Sequence, residues 1–216
     1  MARIKVYTEA TDRRAFACAL DWPGWARAAK TEELALAALT GYAQRYEPVA
    51  AAAGIRWPGA LDFEVVERLE GSGSTEFGVL DKPPKADSDP ITALKAGRQA
   101  ALLQASWELL DDIAAHAPAA LRKGPRGGGR DRDKVVEHVI ASEAGYARQI
   151  GIRQDPKSLD LSPAAVRSRR EQIFAVLSSA SDGSPLISKG WPLRYAVRRF
   201  AWHVLDHAWE IEDKSE

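Results

Sequence analysis

The sequence predicts an α+β N-terminal module of β-β-α-β order followed by an all-α four-helix bundle. Three observations predict it. Strand-length apolar runs are confined to about the first 70 residues. A charged, proline-rich stretch then interrupts the chain. Beyond it, apolar residues recur at helical spacing in four segments and no convincing strand is evident.

Residues 3–9 alternate Ile4 and Val6 with polar neighbours, and residues 14–21 carry Phe16, Cys18 and Leu20. Thr11-Asp12-Arg13 between them predicts a hairpin. Asp21-Trp22-Pro23-Gly24-Trp25 predicts a turn, and Thr31 followed by Glu32 and Glu33 predicts an N-capped helix over about 31–53. Within it Leu36, Leu39, Tyr42, Ala43 and Tyr46 share helical spacing, and Gly54 is placed to terminate it. Asp62–Glu70, with Phe63, Val65 and Val66, predicts a third strand ending at Gly71-Ser72-Gly73. These elements make a module over 1–80. Asp81-Lys82-Pro83-Pro84-Lys85-Ala86-Asp87-Ser88-Asp89-Pro90 offers almost nothing to bury and predicts a linker over 81–90. Residues 91–216 then form the bundle, with helical patterns over about 90–121, 131–150, 163–180 and 192–213.

Composition narrows the function. The 216 residues suffice for one large domain or two small ones, with 45% hydrophobic and 28% charged residues as in ordinary globular proteins. No apolar run approaches the roughly 20 residues needed to cross a bilayer. Thirty Lys and Arg balance thirty Asp and Glu, so the basic excess that gives nonspecific affinity for nucleic acid is missing. Neither a membrane nor nucleic acid is expected as partner. Cys18 is the only cysteine, which excludes internal disulfides, Cys-x-x-Cys redox pairs and cysteine-based zinc clusters. Met1-Ala2-Arg3-Ile4-Lys5-Val6 shows no signal-peptide pattern, so a cytoplasmic location is expected.

The four histidines, His116, His138, His203 and His207, all fall in the bundle half. His203 and His207 stand four apart on the last helix, which brings both imidazoles to one face, the spacing that lets one helix give a divalent ion two ligands. His138 lies in Val135-Val136-Glu137-His138-Val139-Ile140, among apolar residues where an imidazole needs a partner. Were the second and fourth helices neighbours, it would add a third nitrogen and leave a coordination position open. A polar face for His203 and His207 with a hydrogen-bonded core His138 is the alternative. Asp206 and Glu210 could orient the ligands, or Glu210 could join them, although acids on a terminal helix are more often solvated. His116, just before Pro118, reads as surface or capping.

With Glu137-His138-Val139-Ile140-Ala141-Ser142-Glu143 and Trp202-His203-Val204-Leu205-Asp206-His207-Ala208-Trp209-Glu210, residues 90–213 resemble the DinB-like superfamily of four-helix bundles. That family is marked by a His on the second helix and His-x-x-x-His on the fourth. The resemblance implies that His138, His203 and His207 bind one divalent metal, zinc or nickel, although three imidazoles suit iron and copper as well. The family includes thiol-dependent transferases and isomerases using low-molecular-weight thiols, beside members of unknown activity. It therefore implies a metal-dependent thiol transferase or hydrolase acting on a small-molecule substrate. The other function class is a non-catalytic stress or interaction protein with a structural metal.

Residues 3–71, through Trp22-Pro23-Gly24 and Thr31-Glu32-Glu33, more weakly resemble a HicB-like module, with Trp25 where that family commonly has a small residue or cysteine. This implies an association surface, and both resemblances allow a homodimer. With no DNA-binding segment evident after the module, an antitoxin is disfavoured. Three other features of the sequence bear on ligand binding. Lys123-Gly124-Pro125-Arg126-Gly127-Gly128-Gly129-Arg130 could cradle an anion, but lacks the phosphate-loop pattern and reads better as a connection. Arg194 and Arg198, in a basic turn with Arg199, share a face that could bind an anion, though a solvated face is the commoner outcome. Of Trp107, Trp191, Trp202 and Trp209, only Trp202 and Trp209 are in range of the histidines.

Overall fold

A computed structural model describes residues 3–124, 128–153 and 159–215. The fold is α+β, a four-stranded N-terminal sheet followed by helices. The strands are β1 (Ile4–Ala10), β2 (Ala15–Ala19), β3 (Ala26–Ala29) and β4 (Phe63–Glu70), in sheet order β3-β2-β1-β4. β2 pairs antiparallel with both neighbours, while β4 lies parallel to β1. Val66 is the extra residue of a bulge, because Val6 faces Val65 while Tyr7 faces Glu67.

The β-β-α-β expectation needs two corrections. A further strand, β3, precedes the helix. Its sequence, Ala26-Arg27-Ala28-Ala29, has neither β-branched nor aromatic residues, so only pairing with β2 makes it a strand. The single helix expected over 31–53 is two, α1 (Glu32–Gly41) and α2 (Ala43–Ala52), hinged at Tyr42. Tyr42 leaves helical geometry with ψ near 1°, its ring meets Trp209 at 5.1 Å, and the Arg27 guanidinium lies 3.9 Å over it. Tertiary packing has overridden local periodicity there. Thr31 caps α1 as its sequence implies, accepting from the Leu34 N–H at 3.3 Å.

β2 is buried throughout, as its unbroken Ala-Phe-Ala-Cys-Ala run implies. Ala15, Ala17 and Ala19 face α1 and α2, where Trp22, Trp25, Tyr46 and Trp57 form one aromatic cluster. Trp25 Nε1–H donates to the Leu39 carbonyl and the Tyr46 hydroxyl to that of Pro23, so neither polar tip is stranded. Phe16 and Cys18 face Leu80 and Trp202 instead.

After the short α3 (Gly73–Glu76) and a 3₁₀ turn at Lys85–Ser88 come four long helices. They are α4 (Ala93–His116), α5 (Arg132–Gln149), α6 (Pro163–Leu177) and α7 (Leu193–Ser215). All four contribute to one apolar core through Leu103, Val139, Ile173 and Phe200, among others. Thr92 and Ser162 cap α4 and α6, Pro163 occupies the first turn of α6, and α4 stops at His116, short of the expected 121, because Pro118 follows. Among the described residues no helix is long and apolar enough to cross a membrane.

The sheet half packs directly on α4 and α7, since Leu102, Ala105, Leu205 and Trp209 belong to the same cluster as the β2 alanines. Segment 81–90 is fastened as well as connecting. Asp87 is 1% exposed and both its oxygens accept from the Arg198 guanidinium, itself 4% exposed. Gly24, at φ +90°, lies so close to α7 that a Cβ there would stand 2.6 Å from Leu205 Cδ1.

Candidate metal centre

His138 projects from α5, and His203 and His207 from adjacent turns of α7. Packing of these two helices brings all three together, with one nitrogen of each lying within 4.8 Å of the others. Ring centroids are 5.1 Å apart for His138 and His203, 4.9 Å for His138 and His207, and 4.7 Å for His203 and His207. The Nε2 atoms of His138 and His203 face each other at 3.3 Å. His116 takes no part; it is exposed and its Nδ1–H donates to the Asp112 carbonyl in the preceding turn.

Glu210 accepts from His207 Nδ1–H at 2.7 Å, which leaves the His207 Nε2 lone pair free. The same carboxylate accepts from Lys214. Hydrogen bonds from His207 and Lys214 hold the Glu210 carboxyl down at about 2, so it is ionised throughout the neutral range. Asp206 serves elsewhere, accepting from Arg27 of β3 at 3.1 Å.

His203 is 7% exposed, and its Nδ1 has no hydrogen-bond partner among the described residues. Burial drives its pKa well below the usual imidazole value, and the neighbouring His207 and His138 push it further. His138 is lowered first by burial and then by His207. Both therefore favour the neutral, electron-donating form. Three imidazoles with converging lone pairs can hold a divalent cation; they have no hydroxyl or thiol among them to act as a nucleophile. Cys18 cannot supply one, since it is buried in the sheet and burial pushes its thiol far up.

Toward the start of α7, Tyr146 of α5 sets its ring edge-on to His203 at 5.5 Å. The Arg199 guanidinium lies 5.1 Å from the Tyr146 ring centre and 4.8 Å from that of Trp202. Sequence inspection passed over Tyr146 and gave Arg199 no role of its own. The signal was there as spacing, because Arg199 is four residues before His203 and Tyr146 eight after His138, on the same helix faces. Arg194 donates to the carbonyls of Asp89 and Pro90, and Arg198 is consumed by Asp87. The two therefore form neither the solvated face expected of them nor a free anion site, since Arg198 is buried against Asp87 and Arg194 is engaged by backbone carbonyls.

In the glycine-rich connection the Gly124 N–H donates to the Gly128 carbonyl at 2.8 Å, and Lys123 pairs with Asp131. Pro125, Arg126 and Gly127 lie outside the described residues. A cavity of about 780 Å³ opens between α4 and α6, lined by Trp107, Phe174 and Arg170. It meets α5 at Ile140, about 200° around the helix from His138, and so lies apart from the imidazoles.

Comparison of the chain with family models, with curated proteins and with solved structures returned no match.

Proposed function

We propose that the protein is a metal-dependent enzyme of the DinB-like type. His138, His203 and His207 hold one divalent ion, zinc or nickel, between two helices of a four-helix bundle, and the centre transfers a thiol to a small molecule or hydrolyses it. The observation that carries this is the 3.3 Å separation of two facing imidazole nitrogens, one on the buried His203 and one on the partly buried His138. Tetrahedral ligands at about 2.0–2.1 Å from a metal stand about 3.3–3.4 Å from one another, so this pair has the spacing of one edge of such a site. Neutral imidazoles are the form a metal requires, and burial favours that form in both His138 and His203.

The chain's own residues have separable tasks. Glu210 fixes which nitrogen of His207 points inward, and Lys214 fixes Glu210. Tyr146 covers one side of His203 and limits water there. Among the described residues no fourth His, Cys, Asp or Glu completes the cluster, and three protein donors with an open position characterise catalytic rather than structural sites. A divalent ion held there would lower the pKa of a bound thiol or water and so provide a nucleophile near neutral pH.

The test is metal content by mass spectrometry on untagged protein, for wild type, His138→Ala and His203→Ala. About one metal ion per chain, lost in both variants, is expected of a site whose folding and binding are coupled. No uptake after reconstitution with zinc or nickel, or retention in both variants, would overturn the assignment.

A further inference from the structure

We propose that Arg199 anchors a carboxylate of the substrate, an assignment that rests on the metal-centre reading of the same site. The site would then take small molecules with a metal-binding donor at one end and a carboxylate at the other.

Arg199 is one helical turn before His203, a rise of about 6 Å along α7. Tyr146, whose ring touches both His203 and the guanidinium, joins the two in one wall of the seam between α5 and α7. The side chain is therefore next to the imidazoles yet too far along the helix to be a ligand.

Its charge is uncompensated. Arg199 is only 9% exposed, and among the described residues no carboxylate lies within ion-pair distance of it. Its protein acceptors are the Leu80 carbonyl at 2.6 Å and the Tyr146 hydroxyl. The acids that could have served are committed elsewhere. Glu9 accepts from the Thr75 hydroxyl and the N–H groups of Asp81 and Lys82; Asp81 accepts from Ser72; Asp87 takes Arg198. Adjacent arginines on one helix thus differ. The one remote from the histidines is neutralised by a buried carboxylate, and the one beside them is not.

A guanidinium carries five N–H donors in a flat fork, and a buried cation without an anion is costly. Cation–π contacts with Tyr146 and Trp202 offset part of that cost but fill none of the donors at the fork's edge. Trp202 adds an unmet donor to this wall, since its Nε1–H has no acceptor among the described residues. A carboxylate entering from outside would accept two parallel hydrogen bonds from Arg199.

The test uses the full chain loaded with Co²⁺, titrated with 3-mercaptopropionate and with 2-mercaptoethanol while thiolate-to-cobalt absorption is followed. Both probes offer a thiol and only one a carboxylate. Wild type is expected to bind the carboxylate thiol at least about tenfold more tightly, the effect of one charge-assisted contact. Arg199→Met should abolish that preference with cobalt content and 2-mercaptoethanol affinity unchanged. If Arg199→Met does not fold, Arg199→Lys carries the test, because it keeps the charge without the fork and should reduce the preference at least about threefold. Cobalt bound by all chains with no preference in wild type, or with the same preference in the variant, overturns the role of Arg199 alone. Cobalt that fails to bind wild type overturns the metal centre and this assignment together.

Discussion

Asp87→Asn should destabilise the protein by about 3–5 kcal/mol, the usual cost of removing one partner from a buried ion pair. Both side chains are nearly inaccessible, at 1% and 5%, and both oxygens of Asp87 accept from Arg198. Asn keeps the shape but removes the charge, leaving a buried guanidinium whose Nε already lacks a partner among the described residues. For a protein of this size about 1 kcal/mol shifts Tm by about 2–4 °C, so the expected fall is about 6–20 °C. Thermal unfolding of wild type, Asp87→Asn, Arg198→Met and the Asp87→Leu/Arg198→Met double variant would measure it. The double variant should recover much of the loss, since replacing a whole buried pair by apolar residues is often neutral. If residues 81–90 merely spanned two modules, Asp87→Asn would act as a surface change of within about 0.5 kcal/mol. A fall in Tm under about 2 °C would therefore refute the view that this segment clamps α7.

Three further outcomes follow from the geometry. Glu210→Gln should weaken metal affinity about 10–100-fold with secondary structure intact, as measured by competition with a chromophoric chelator; unchanged affinity would show that His207 needs no orienting carboxylate. In metal-free protein, His203 is held neutral below its usual value of 6.5, so the unfolded chain binds the extra proton; stability is full above about pH 6.5 and falls as pH drops below it. Urea unfolding between pH 7 and 5 should show that slope flattened in His203→Gln, and an identical slope would exclude this histidine as its source. Gly24→Ala should cost more than about 1 kcal/mol, because it combines a positive φ with a contact of 2.6 Å on Leu205; a neutral effect in chemical denaturation would mean that the turn can lift off α7.

The sequence by itself determined the α+β class, the cap at Thr31, the buried run of β2, four long helices and the identity of the three histidines. Each of these is written in contiguous residues: hydrophobic period, cap chemistry, proline position and the four-residue spacing of His203 and His207. Only the tertiary structure decided the rest, because those features depend on partners distant in the chain. An alanine-rich segment became β3 by pairing with β2, and a helix broke at Tyr42, where its ring packs edge-on against Trp209. A stretch composed like a linker buried Asp87 against an arginine 111 residues away. His138 came within 3.3 Å of His203 across 65 residues of chain, a distance no local pattern encodes. Arg199 acquired its meaning in the same way: whether a buried cation has a counter-ion depends on every acid around it, and those acids come from β1 and from the segment at 81–87.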